Sequence, residues 1–391
     1  MNSFALYRLP HEKQCTLIEQ CDGQPAVLNT YAELDTQQGF VMAPFAIQSD
    51  APLLVIRPDK VTVLPQDDLH FAAKHFPFCR KMASVLPQNR THFAAKWNGN
   101  DSETPVDRAV YAIDFSNFHA QLCNGVFRKL VLARCAAEPL PPQLTPIDMF
   151  QCASRLYPRL FIALVYTPQS GLWLTATPEI LLDSVDGRRW RTIALAGTMR
   201  LKADEMDGEG QHLDWSVKNI EEQRIVAAYM AKCLEQFTDD FTEEGPRTVR
   251  AAHLVHLRSD FTFTLLNNAR VGDLLQALHP TPAVCGLPKR EAQQFIISNE
   301  QTPRRYYSGF MGPFNMPSSS TPHLPPSTFH LPPSTFHHSS STHLFVSLRC
   351  MQITDSHCLL YAGGGLLKDS TEEQEWQETE AKLETMRRCL T

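Results

Sequence analysis

Short apolar runs rich in β-branched and aromatic residues recur along this chain, and they predict strands. Apolar residues at helical spacing mark two segments, 217–236 and 372–389. Because the strands cluster and do not alternate regularly with helices, an α+β architecture with large antiparallel sheets fits the pattern better than a doubly wound parallel sheet. The predicted strands cover 52–56, 127–134, 159–166, 172–176, 190–195, 261–266, 344–353 and 358–362.

Composition narrows the class of protein. Of the 391 residues, 43% are hydrophobic and 20% are charged, which is typical of a globular chain. A formal charge of −6 provides no general attraction for nucleic acid or for an anionic membrane surface. The 11 cysteines include no CxxC pair and favour buried thiols in a reducing cytoplasm. No apolar run approaches the roughly 18 residues of a membrane span, and the first residues lack the pattern of an export signal.

Residues 315–343 interrupt this pattern. The tract consists mostly of Pro, Ser, Thr and His, lacks acidic residues, Lys and Arg, and repeats His-Leu-Pro-Pro-Ser-Thr-Phe at 323–329 and 330–336. Such a segment buries too little apolar surface to offset its ordering entropy, so we predict a mobile loop between two strands. Its histidines could bind a transition metal, but a tandem duplication is more typical of a tolerated insertion in a surface hairpin. Excision of 318–341 should therefore leave activity largely intact.

Two ionisable side chains lie in distinctive local settings. Lys129 belongs to the apolar run 127–134, where strand alternation places it on the same face as Val131 and Ala133. Such a lysine either reaches water from the end of a strand or, when buried, has a lowered pKa and can act as a base near neutral pH. Glu179 follows a proline between two apolar runs, so its carboxyl could stabilise a turn or act as an acid.

Both predicted helices carry carboxylates on one face. Glu222 lies at helical spacing from an apolar stripe that includes Ile225, which places it on the inward face, where a carboxylate needs a partner. Glu375, Glu378 and Lys382 share a face of the last helix. On the residues alone, this second group is also explained by a solvated Glu-to-Lys pair.

Further short motifs follow in a fixed order: LAGT at 195–198, LHPTPAV at 278–284, LYAGGG at 360–365 and EWQET at 375–379. Together with Lys129 and Glu179, these motifs resemble the chorismate-utilising enzymes and, among them, the isochorismate synthases. The resemblance covers roughly residue 105 to the end of the chain. It implies a single large domain of two packed, mostly antiparallel sheets covered by helices, in which 1–106 complete the body formed by 107–391.

The resemblance also implies roles for individual residues. Lys129 matches the base that activates water, and Glu179 matches the general acid that protonates the departing hydroxyl. Magnesium, a hard cation that takes oxygen ligands, would be bound by Glu222 and Glu378, with Glu375 helping directly or through water. The substrate would be held by a Gly-containing turn, backbone and cationic side chains at Ala196, Gly197, Thr198, His279, Arg349, Gly363 and Lys382. His279 in this set either orients a substrate carboxylate or fixes the Pro-rich turn.

The implied function is that of an isochorismate synthase, a magnesium-dependent, reversible conversion of chorismate to isochorismate for menaquinone or siderophore synthesis. Salicylate synthases use the same base and acid and then expel pyruvate. Anthranilate synthase component I has glutamine in place of Lys129 and needs ammonia or a glutaminase partner. A non-catalytic chorismate-binding relative is a further alternative. The implied protein is a cytoplasmic monomer whose partner is chorismate, without an obligate protein partner.

The sequence departs from the family pattern at two places. The residue after the helical glutamate is commonly His and is Gln223 here, so Glu221 would become the metal ligand if the helix register differed by one. The usual Arg-Pro-Arg after the AGT motif is replaced by Met199-Arg200-Leu201. Ala196 is informative in the other direction, because aminodeoxychorismate synthases often have a nucleophilic lysine there. Water should therefore be the attacking group.

Overall fold

The structure is a computed structural model that describes residues 3–66, 105–200, 213–251, 254–266, 269–317 and 340–391. The strands before residue 201 are β1 (Ser3–Arg8), β2 (Gln14–Gln20), β3 (Ala26–Leu28), β4 (Gly39–Ala43), β5 (Leu53–Ile56), β6 (Lys60–Pro65), β7 (Lys129–Pro139), β8 (Phe161–Thr167), β9 (Gly171–Thr177), β10 (Ile180–Ser184) and β11 (Arg189–Arg200). The later strands are β12 (Phe241–Ala251), β13 (Leu254–Thr264), β14 (Gly286–Leu287), β15 (Phe310–Phe314), β16 (Met316–Pro317), β17 (Ser340–Val346), β18 (Cys350–Ile353) and β19 (His357–Leu366).

These strands form two large sheets. The order across the first sheet is β14-β7-β19-β18-β9-β8-β1-β2-β6. The order across the second is β12-β13-β11-β10-β17-β15-β4-β5-β3, and β16 pairs with β17. Neighbouring strands in the described residues run antiparallel, so the predicted α+β class with two antiparallel sheets is confirmed. Strands from 3–66 contribute to both sheets.

Helices cover the outer faces of the sheets. They are α1 (Pro105–Cys123), α2 (Pro146–Leu156), α3 (Val217–Leu234), α4 (Val271–Leu278), α5 (Lys289–Asn299) and α6 (Glu372–Arg387), with a short 3-10 helix at Tyr31–Thr36. Apolar stripes of α2 and α6 pack on the first sheet, those of α3 and α4 on the second, and those of α1 and α5 beside β7. Within the described ranges, no helix combines the length and the apolar character that a bilayer crossing requires.

The inner faces of the two sheets pack against each other over buried aromatic and aliphatic side chains. Phe161 of β8 stacks on Phe345 of β17 with 4.3 Å between ring centroids, which joins the two sheets. Trp173 of β9 is fully buried in the same core. Strands covered on both faces have near-continuous apolar sequences, which explains why the runs at 159–166 and 172–176 are recognisable as strands.

The chain passes from one sheet to the other at two adjacent places. Pro178 and Glu179 connect β9 of the first sheet to β10 of the second, and 347–349 connect β17 of the second sheet to β18 of the first. The two connections are hydrogen-bonded to each other's strands. Val346 N donates to Glu179 O at 2.9 Å, and Ala176 N donates to Arg349 O at 3.1 Å. Glu179 and Arg349 are therefore neighbours in the fold although they are far apart in the sequence.

The second connection corrects a predicted strand. The apolar run 344–353 was expected to form one strand, but it is divided between β17 and β18, which belong to different sheets. Arg349 has a φ of +46°, in the left-handed region that ends regular strand geometry. No glycine or proline interrupts this run, so the residues provide no local signal for the break.

The low-complexity tract is inserted into a hairpin. Met316 pairs with Ser341 and Pro317 pairs with Ser340, so both ends of the predicted 315–343 insertion belong to strands. The mobile loop predicted for the tract falls on 318–339, which lie outside the described residues. Since Ser340 and Ser341 pair in a ladder, a clean excision ends at 339 and not at 341.

Replacing 318–339 with Asn-Gly should change the free energy of unfolding by less than about 1 kcal/mol, because Pro317 and Ser340 are already paired and a two-residue turn can join them. Urea unfolding measures the change. The control extends the same replacement through Ser341 and removes two strand pairs, so it should be less stable. If the shorter replacement loses as much stability as the longer one, the tract contributes to the fold.

Candidate active site

A cavity opens beside the two connections between the sheets. The empty space within it, part of which is open to solvent, is about 610 Å³. Eight residues that the sequence singled out line it: Glu179, Ala196, Gly197, Thr198, Glu222, Arg349, Gly363 and Lys382. The other four, Lys129, His279, Glu375 and Glu378, do not line the cavity themselves.

Lys129 begins β7 and is completely buried. The alternative in which it reaches water from a strand end is therefore wrong. Its Nζ lies 2.8 Å from Glu222 Oε1 in an ion pair that lacks hydrogen-bond geometry. A β-carbon added at Gly365, which lines the cavity, would lie 3.0 Å from Lys129 Cε and 2.1 Å from Glu222 Oε1. Because glycine has no side chain, position 365 leaves room for Lys129 and Glu222 at the wall of the cavity.

Glu179 presents a carboxyl that keeps its proton at neutral pH. Burial raises its pKa from 4.5 to about 8, although the positive charges of Lys129, Arg349 and Lys382 act in the opposite direction. Lys129 makes the largest of these opposing contributions to the pKa of Glu179, so the predicted base and the predicted acid interact electrostatically. A protonated carboxyl in a cavity can donate its proton to a leaving group.

Arg349 is held in the cavity by a histidine that sequence reasoning did not single out. Its Nη2 donates to His256 Nε2 at 2.5 Å, and His256 Nδ1 donates to Gly197 O at 3.1 Å. Gly197, with a φ of +72°, forms a bulge in β11 that directs its carbonyl to this histidine. The signal for His256 was its place as a polar ring between Val255 and Leu257, within the short apolar run at 254–257.

The guanidinium of Arg349 is available to an anion. Burial lowers its pKa to about 10, so it still carries a charge at neutral pH. Its Nη1 is buried and makes no hydrogen bond to the described residues. A carboxylate entering the cavity would satisfy this donor, and arginine is well suited to carboxylates because of its planar fork.

Three glutamates near the cavity are each paired with a lysine. Lys129 pairs with Glu222 at 2.8 Å, and Lys382 pairs with Glu378 at 2.7 Å between Nζ and Oε1. The third pair joins Lys218 to Glu375. We refer to these contacts as the three lysine–glutamate pairs. Their carboxylates come from α3 and from the first half of α6, which pack at the end of β19.

The register of α3 determines which of two adjacent glutamates faces inward. Glu222 is buried and lines the cavity, whereas Glu221 is exposed, so the alternative with Glu221 as a ligand loses its basis. Gln223 is buried on the other side, where its Nε2 donates to Ala194 O and Ser259 Oγ at 3.3 and 3.2 Å. Gln223, which stands where the family commonly has His, is therefore not part of the cavity lining.

The carboxylates are chemically suited to a hard divalent cation. Glu375 is fully buried, and its Oε1 accepts from Ser370 Oγ at 2.7 Å, while its Oε2 has no partner in the described residues. Its pKa is raised by burial and then by the like charge of Glu378. In the described part of the chain no group of three or more His, Cys, Asp or Glu is arranged as a metal site. An orphaned carboxylate oxygen beside two further glutamates nevertheless fits a cation such as Mg²⁺.

His279 and Gly363 have local partners. His279 is buried outside the cavity, where its Nε2 donates to Pro44 O at 3.1 Å and burial lowers its pKa to about 3. This neutral ring fits the second of its two predicted roles, which is to fix the Pro-rich turn. The carbonyl of Gly363 accepts from Lys382 Nζ at 2.8 Å. Tyr307, a further lining residue that the sequence did not indicate, lies against Gly363.

The chain matches a described protein family and the sequences of several known proteins. A family described as chorismate binding enzyme matches residues 60–320 and 335–391. Similar sequences include isochorismate synthase MenF of Escherichia coli K12, 29% identical over 69% of this chain and 57% of that protein. Another is the salicylate biosynthesis isochorismate synthase of Pseudomonas aeruginosa, 29% identical over 73% of this chain and 55% of that protein. The chain thus spans little more than half the length of these two relatives.

A solved structure shows the same fold over a longer span. The menaquinone-specific isochorismate synthase MenF of Escherichia coli superposes with a TM-score of 0.71 at 21% identity and covers 100% of this chain and 89% of that one. At this level of identity the superposition establishes the arrangement of the two sheets and helices.

Proposed function

This chain belongs to the chorismate binding enzyme family, and we propose that it is an isochorismate synthase that converts chorismate to isochorismate. The observation that carries the proposal is a cavity lined by a protonated carboxyl, Glu179, and by Arg349, whose Nη1 has no partner in the described residues, with the buried amine of Lys129 behind the cavity wall at Gly365. A base, an acid and an anion-binding cation are what addition of water and loss of hydroxide from an anionic ring require.

In the proposed reaction, water adds to C2 of chorismate, the hydroxyl at C4 leaves and the ring double bonds shift. Lys129 removes a proton from the water, and Glu179 donates its proton to the departing hydroxyl. One water is consumed and one is released, so the conversion is reversible and needs no other reactant. Arg349 and Lys382 orient the substrate carboxylates, since both line the cavity and carry positive charge.

Glu222, Glu375 and Glu378 are the residues that would hold magnesium. The bound cation would supply positive charge against the ring carboxylate and so stabilise charge as the double bonds move. For the carboxylates to bind it, they must exchange some of their contacts with Lys129, Lys218 and Lys382. The same exchange leaves Lys129 Nζ free to face water.

The alternatives are less well supported. Salicylate synthase is not favoured, because the similar sequences from Escherichia coli and Pseudomonas aeruginosa are both named isochorismate synthases. An anthranilate synthase would require ammonia chemistry, for which Lys129 is unsuited by the family pattern. A non-catalytic relative is difficult to reconcile with an intact acid at the cavity and an intact base behind its wall. Menaquinone and siderophore pathways begin with the same step, so the proposed chemistry serves either.

Incubation of the protein with chorismate and Mg²⁺ in heavy-oxygen water should produce isochorismate that carries one solvent oxygen atom. Chromatography separates it from chorismate of otherwise equal mass, and mass spectrometry detects the label. Chelation of the metal should stop the conversion. When isochorismate replaces chorismate in the same incubation with Mg²⁺, it should be converted back to chorismate. Salicylate as the only product, or no conversion by the folded protein with Mg²⁺, would contradict the proposal.

A further inference from the structure

Lys218 differs from the other two lysines of the three lysine–glutamate pairs. Lys129 is the proposed base and Lys382 lines the cavity, whereas Lys218 has no part in the proposed reaction and does not line the cavity. Its hydrogen bond within the described residues is to Glu375, the most deeply buried of the three carboxylates. Lys218 lies in the first turn of α3 with 24% of its side chain exposed, so it can withdraw toward solvent.

The ammonium of Lys218 contacts the carboxylate of Glu375, which lies beside that of Glu378. A β-carbon added at Gly364 would lie 2.8 Å from Glu375 Oε2 and 3.9 Å from Glu378 Oε1. The positive charge of Lys218 is thus paired with one of the proposed metal ligands and lies on the side of the glutamates where a second proposed ligand is close by.

We propose that Lys218 is an internal substitute for the metal, which holds Glu375 in place before the metal binds and must be displaced for it to bind. The proposal rests on the proposed function, because it takes Glu222, Glu375 and Glu378 as the metal ligands. Its consequence is weak binding of Mg²⁺ to the protein alone, since the cation has to compete with an ammonium already paired to Glu375.

Charge balance explains why such a substitute is useful. Three ammonium groups neutralise three carboxylates in the protein alone. A divalent cation and a substrate with two carboxylates bring no further net charge, so the pair can enter together at little electrostatic cost. The cation alone would bring an unbalanced charge next to Lys218 and its neighbours.

Calorimetric titration of Mg²⁺ into the protein without chorismate tests this inference. Lys218→Met removes the competing charge and should tighten Mg²⁺ binding by about tenfold or more, because the pair is mostly shielded from water. Lys218→Arg keeps the charge and should bind Mg²⁺ as weakly as the wild type. Lys60→Met is the matched control, since Lys60 forms an exposed ion pair with Glu19 at 2.8 Å far from the cavity.

Thermal unfolding provides a second measurement. Without metal, Lys218→Met should unfold at a lower temperature than the wild type, because Glu375 is left buried without its cation, and Mg²⁺ should restore more stability to the variant than to the wild type. If the variant is unfolded without metal, folding on addition of Mg²⁺ supports the inference. Failure to fold at saturating Mg²⁺ contradicts it.

Unchanged or weaker Mg²⁺ binding by folded Lys218→Met would overturn the inference. So would a loss of chorismate affinity without a change in metal affinity, which would make Lys218 a substrate-binding residue. The proposed function is tested separately by product formation. Isochorismate production with unchanged metal affinity in the variant refutes only the role of Lys218, whereas tightened binding without any product refutes only the function.

Discussion

Replacing Lys129 with methionine should lower the rate of isochorismate formation by roughly 10³-fold, within the range that general base catalysis contributes. Methionine retains an apolar stem of similar length but cannot accept a proton from water. The rate is measured at saturating chorismate and Mg²⁺, below the unfolding temperature of the variant, and Lys60→Met serves as the control for loss of a lysine elsewhere. Turnover like that of the wild type would exclude Lys129 as the base.

The same substitution should also destabilise the protein. Glu222 would be left buried without the ammonium that lies 2.8 Å away, and breaking a buried pair costs about 3–5 kcal/mol. The double variant Lys129→Met/Glu222→Gln removes both charges and should regain most of that stability. Urea unfolding of the two variants therefore shows whether the loss comes from the unpaired carboxylate. If the double variant is no more stable than the single one, the pair does not account for the loss.

Glu179→Gln should lower turnover by roughly 10²–10⁴-fold and leave chorismate binding largely intact. Glutamine has the shape of the protonated acid but cannot transfer a proton to the departing hydroxyl. Glu179→Asp is the comparison variant, because it keeps a proton donor and only shortens the reach, so it should retain more activity. Equal activity of the glutamine variant and the wild type would exclude Glu179 as the acid.

The pKa of Glu179 also predicts two pH effects. Turnover should fall as pH rises through about 8, where the buried carboxyl loses the proton that it donates. The folded-state pKa lies above the ordinary value of 4.5, so the folded state binds more protons between the two values. The contribution of this group to stability is thus present below 4.5 and is lost as pH rises through about 8. In Glu179→Gln this dependence should be absent, and an identical pH profile of stability in both proteins would show that burial of Glu179 is not its cause.

Local pattern predicted nine of the nineteen strands in the described residues, and no predicted run falls on β1–β4, β6, β10, β12 or β14–β16. The runs at 127–134, 159–166 and 172–176 correspond to β7, β8 and β9, because residues covered on both faces of a strand are nearly all apolar. The prediction of a single strand at 344–353 was wrong for the same reason. Its residues are buried on both sides of Arg349, so hydrophobicity continues where the backbone leaves one sheet and enters the other.

The candidate site was partly predictable. Motif resemblance singled out Lys129 and Glu179, and helical spacing placed Glu222 inward, as the structure has it. His256 and Lys218 were missed because each is defined by a partner distant in the sequence. His256 contacts Arg349 across 93 positions, and Lys218 contacts Glu375 across 157.

The sequence by itself determined about half of the described strands, the two helices that carry the glutamates and the ionisable residues that interrupt these segments. Such segments can be recognised because burial follows the periodic pattern of neighbouring residues. Only the tertiary structure decided that Glu179 and Arg349 lie on adjacent connections between the sheets, and that three lysines neutralise the three carboxylates. Those contacts depend on how strands and helices from distant parts of the chain pack. The residues that neighbour a charged side chain in the sequence do not show whether that side chain contacts water or a buried opposite charge.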